Sequence, residues 1–95
     1  MSNNEIAAAW VRARQRLREI EAELMGLEFQ LRRTGESLKA AGQVFLKTPD
    51  AAWKLDTRLL SDAVLRAEED AKRYKQLLAE RVEKQAEIGK LNLSA

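Results

Sequence analysis

The sequence contains no cysteine, no histidine, a single proline and few aromatic residues, 5% of the chain. Without cysteine it has no disulfides and no thiolate metal sites, and it suits a reducing compartment, read here as the cytoplasm. Without histidine it lacks the commonest acid–base group and metal ligand. Carboxylates remain, and Glu68, Glu69 and Asp70 form their densest run. At roughly 100° per residue a helix spreads three such neighbours over about 200°, so they cannot converge on one ion or one substrate atom. The four glycines are scattered, and none builds a phosphate loop. The expectation is a protein that is not an enzyme and takes no cofactor or metal. No stretch approaches the roughly 18 apolar residues that span a bilayer, and "MSNNEIAAAW" lacks the basic start and apolar core of a secretory signal. A membrane is therefore not an expected partner, and Met1 reads as a natural start.

What the sequence does have is charge. Charged residues make up 34% of the 95, and 17 basic against 15 acidic residues leave a net charge of only +2. That profile belongs to long helices or coiled coil, and a chain this short has little interior unless it associates.

From Ile6 onward bulky residues recur in alternating steps of four and three: Ile6, Trp10, Ala13, Leu17, Ile20, Leu24, Leu27, Leu31, Thr34, Leu38, Ala41 and Phe45. Such a stripe is the core face of a coiled-coil helix. The opening "SNNE" matches a capping box in which Ser2 caps the amide of Glu5, so helix 1 is expected over about residues 3–45. Gly35 and Gly42 weaken that helix by up to about 1 kcal/mol each without breaking the stripe. In "KTPD", Thr48 can cap, Pro49 suits a first helical position and Asp50 suits the positive end of a helix dipole. A turn over about 46–48 and a second helix over about 49–91 follow, with a stripe of Trp53, Thr57, Leu60, Val64, Ala67, Ala71, Tyr74, Leu78, Arg81, Gln85, Ile88 and Asn92.

So short a turn makes the helices antiparallel, pivoting near Pro49 and pairing positions whose numbers sum to about 98. Phe45 then meets Trp53, Leu38 meets Leu60, Leu31 meets Ala67, Leu24 meets Tyr74 and Ile20 meets Leu78. The polar layers, Leu17 with Arg81, Ala13 with Gln85 and Ile6 with Asn92, fall at the open end, which is expected to fray first. Flanking charges specify this register poorly: Glu21 meets Lys75, but Arg16 falls near Lys84 and Glu28 near Glu68.

The segment "VRARQRLREIEAEL" concentrates Arg12, Arg14, Arg16 and Arg18. On a helix they encircle the axis, whereas a duplex-binding helix gathers its cations on one side where each neutralises a phosphate. Glu19, Glu21 and Glu23 follow directly. The reading preferred is a solvated exterior whose alkyl stems cover the seam; a nucleic-acid-binding bundle, with arginines of two chains forming one basic face, is the alternative.

Two helices share one seam, yet apolar residues lie off it. Val11, Ala22, Met25, Gly26 and Phe29 form an outer stripe on the first helix, and Leu59, Leu65, Leu77, Val82 and Leu91 lie beside or behind the seam on the second. Phe45, Leu46, Trp53, Leu55 and Leu59 gather near Pro49; Phe45 and Trp53 can close the seam, whereas Leu46 and Leu55 resemble interface anchors. The sequence thus specifies an all-α, antiparallel two-helix coiled-coil hairpin that dimerises into a four-helix bundle. Its expected role is that of a protein–protein interaction module, an adaptor, chaperone-like or structural subunit. The expected interface residues are Ala22, Met25, Gly26, Phe29, Leu46, Leu55, Leu59, Leu65 and Leu77, facing a second copy or an unidentified protein.

Overall fold

The computed structural model describes residues 2–94 and is helical almost throughout, so Met1 lies outside the described residues. Helix α1 runs Asn3–Lys47 and helix α2 runs Thr57–Ser94, joined by a short 3-10 helix, Pro49–Lys54. The two long helices pack against each other. The start of α1 is as its sequence dictates: the Ser2 hydroxyl accepts the Glu5 amide at 3.2 Å and the Ser2 carbonyl accepts the Ile6 amide at 3.0 Å.

The connector differs from expectation. A residue preceding proline is driven out of the helical region, and Thr48 sits at φ −138°, ψ 62°, which ends α1 at Lys47. The Thr48 hydroxyl makes no cap; it donates back to the Val44 carbonyl at 3.3 Å. Pro49 does open a helix, but one of 3-10 type that closes when Leu55 extends. The cap of α2 is Asp56, whose Oδ1 accepts the amides of Arg58 at 3.0 Å and Leu59 at 3.3 Å. An aspartate just before the apolar run Leu59, Leu60, Val64 is the start signal that "KTPD" obscures.

The chain forms two compact units. The terminal unit comprises Met1–Gly26 with Tyr74–Ala95, and the connector unit, Leu27–Arg73, is a helical hairpin. Among the described residues the five buried side chains, Ala13, Ile20, Leu24, Leu77 and Ile88, belong to the terminal unit. The most fully buried side chains therefore lie in the unit that contains the open end, the same end at which the sequence places its polar layers.

The reason is the face that α2 presents. In α1 the stripe from Ile6 to Ala41 is buried or half-buried as expected, ending on Val44 with Phe45 exposed. In α2 the buried and half-buried series runs Leu60, Ala63, Ala67, Asp70, Tyr74, Leu77, Arg81, Lys84, Ile88 and Leu91, with Leu78 and Glu80 at its margins. Alternate members of the expected stripe are thus each replaced by the preceding residue: Ala63 for Val64, Leu77 for Leu78 and Leu91 for Asn92. At about 100° per residue this corresponds to turning α2 by roughly 50° about its axis. Leu77, expected on the outer surface, is 0% exposed. Trp53 lies on the 3-10 helix and is 78% exposed, so it does not close the seam with Phe45.

Two measurements check this arrangement. Asp56→Ala should lower stability by about 1 kcal/mol and the melting temperature by about 4–8 °C, while Thr48→Ala stays within about 0.5 kcal/mol of wild type, followed by circular dichroism. Leu77→Ala should cost about 2–5 kcal/mol in chemical denaturation and Leu78→Ala less than half of that; the opposite ranking would restore the expected face.

Candidate interaction surface

In the terminal unit, polar contacts bracket the buried apolar group. The Arg16 guanidinium grips Glu80 through two hydrogen bonds, from Nε to Oε2 and from Nη2 to Oε1 at 2.9 Å. Both side chains are about one-third exposed. Glu19, one turn along, accepts from Arg16 Nη1 at 3.3 Å. The bond to Glu80, with smaller help from Glu19, holds the Arg16 guanidinium well above the usual arginine range against the opposing effect of partial burial. A raised pKa of this kind leaves Arg16 charged throughout the range in which proteins fold.

The expected neighbour of Arg16 was Lys84, a repulsive match. Turning α2 brings Glu80 to the flank instead, and Lys84 pairs with Glu87 at 3.2 Å on its own helix. Nearer the open end, Trp10 Nε1 donates to Asn92 Oδ1 at 2.8 Å. Asn92 therefore lies outside the seam as a hydrogen-bond acceptor, and the indole is satisfied at its polar edge. A shallow recess of about 480 Å³ opens between Ile6, Ala7, Trp10 and Leu91.

The four arginines are thus not equivalent. Arg16 is tied to Glu80, and Arg14 lies over the Trp10 ring at 5.1 Å, while Arg12 and Arg18 are exposed. Glu80 has no counterpart in a reading confined to "VRARQRLREIEAEL"; the signal lay in asking which acidic residue of α2 could reach that stretch.

The remaining interface residues expected from sequence sit as follows. In the terminal unit, Ala22, Met25 and Gly26 are exposed, Met25 at 71%. A Cβ built on Gly26 would meet no atom within 4 Å, so its smallness serves no packing inside the chain. In the connector unit, Phe29, Leu46, Leu59 and Leu65 are exposed and Leu55 is half-buried. Arg33 lies over the Phe29 ring at 5.8 Å and Lys54 over the Trp53 ring at 5.6 Å, each shielding one face of an otherwise wet aromatic.

The connector unit also holds an apolar groove of about 330 Å³. One wall is the narrow side of α1, formed by Ser37, Ala40, Ala41 and Val44; the other is formed by Leu55 and Leu59. The late start of α2 makes it, because the chain that approaches α1 here is the extended step at Leu55 and the Asp56 cap, not a continuous helix.

Among the described residues no group of acidic side chains could hold a metal ion, and no helix is long and apolar enough to cross a membrane. Comparison of the chain with protein-family models, curated proteins and solved structures finds no match.

The cross-helix ion pair has a simple test. Glu80→Gln should lower the melting temperature at low ionic strength, and its gap from wild type should narrow at about 1 M salt, where the screening length falls to about 3 Å. A gap indifferent to salt would show that Glu80 acts by packing alone.

Proposed function

We propose that this chain is a non-enzymatic protein–protein interaction module, a coiled-coil hairpin whose exposed apolar side chains are covered by a second hairpin in a four-helix bundle. An adaptor, chaperone-like or structural subunit is the kind of role such a module fills. The carrying observation is the balance of burial. Among the described residues, eleven large hydrophobic side chains are exposed against five hydrophobic residues buried. A soluble monomer seldom leaves so much apolar surface in water, and each large side chain covered contributes roughly 1.5–3 kcal/mol towards association. Three of the exposed residues are aromatic anchors on the connector unit, Phe29, Phe45 and Trp53, the residue types that dominate interface energetics.

The alternative, nucleic-acid binding through Arg12, Arg14, Arg16 and Arg18, draws less support. Arg16 faces Glu80 and Glu19, and Arg14 is held over Trp10, which leaves Arg12 and Arg18 to meet phosphates.

Sedimentation equilibrium of the full chain between low and high micromolar concentration should fit a monomer–dimer equilibrium dominated by the dimer. A helical species that sediments as a monomer throughout that range overturns the proposal.

A further inference from the structure

The groove of the connector unit and the bare side chains beside it point to one occupant. We infer that the groove of each copy receives Trp53 of a second copy, the two hairpin tips lying at the same end of the dimer. This rests on the interaction reading above and adds the partner, the contact and the arrangement.

The connector unit presents two unmet needs within a few residues. Its groove, walled by Ala40, Val44, Leu55 and Leu59, has no side chain filling it. Trp53 at 78% and Leu46 at 79% exposure have no groove of their own. A surface that carries a cavity and a projection within a few residues of each other can close on itself about a two-fold axis, the residue that fills the partner's cavity being matched by the same residue returning. An indole suits this role: it is large, rigid and nearly free of conformational cost on binding. Exposed parts of Trp53, Leu46, Phe45 and Leu59 amount to on the order of 500 Å² per copy, at the areas such side chains carry. Two copies then reach the roughly 1,000 Å² total that a specific interface needs.

Charge argues against an anionic occupant. From Lys47 to Asp62 the chain alternates three basic residues, Lys47, Lys54 and Arg58, with three acidic ones, Asp50, Asp56 and Asp62. An even mixture has no net attraction for an anionic lipid surface or a phosphate backbone, which both demand a basic excess. Opposite signs at parity suit a surface that meets its own copy.

The test uses two exposed positions on the full chain, with helicity checked by circular dichroism. Trp53→Ser removes the projection and keeps the groove; Ala40→Phe fills the groove and keeps the projection. Each variant alone should raise the dimer dissociation constant at least tenfold in sedimentation equilibrium. Mixed in equal amounts, they should associate more tightly than either alone, since the indole of one finds the open groove of the other. In a Trp10→Phe background, Trp53 emission should shift to the blue as concentration crosses the dissociation constant. A dimer indifferent to both substitutions overturns the tip contact and leaves the interaction reading standing. A wild-type monomer at all concentrations overturns both, and the groove is then open to a foreign partner.

Discussion

Two helices have one seam between them, and each can give it only one stripe of its surface. Everything else in this chain follows from which stripe α2 gives. Its sequence offers two adjacent faces, one through Val64 and Leu78 and the other through Ala63, Leu77 and Leu91. The second is used, and it does three things at once: it buries Leu77, brings Glu80 to Arg16 and leaves Asn92 free to accept the Trp10 indole. A charge-assisted, two-pronged contact has directional demands that a leucine does not, so the ion pair favours one rotation where apolar burial alone discriminates weakly. Val64 and Leu78 are the residues given up, and Val64 joins the exposed apolar set in consequence.

Much of this was readable from the residues. The stripe of α1 is clear because Ala13, Leu17, Ile20 and Leu31 are each flanked on both sides by arginine, glutamate or glutamine. The Ser2 cap is a local motif and forms locally. The phase of α2 was hidden because apolar residues adjoin where the two faces differ, Ala63 beside Val64 and Leu77 beside Leu78, so the pattern accommodates either face. Long-range contacts decide such cases, and a four-and-three pattern contains none of them. The connector misled for a different reason. "KTPD" holds correct signals for a helix start, yet a short 3-10 segment satisfies them as well as an α-helix does, and the stronger cap lay six residues beyond Asp50.

The exposed side chains tell a consistent story on the surface. Met25 and Phe29 were recognisable as outward-facing from spacing alone, and so was Leu46. Leu77 was not, for the reason just given. The groove beside Leu55 could not be read from sequence at all, because it exists only through the gap between the end of α1 and the capped start of α2. A feature made by where elements stop is invisible to a method that reads where they run.

The stops at either side of that gap are set by independent local devices. Pro49 ends α1 through the geometry forced on Thr48, and Asp56 begins α2 by holding two amides. Neither depends on the identity of the exposed residues near and between them, Leu46, Trp53 and Lys54. The segment that meets the outside world is therefore insulated from the register of the helices that carry it. Its chemistry is free to diverge between related chains, or to be rewritten by design, while the scaffold beneath stays the same.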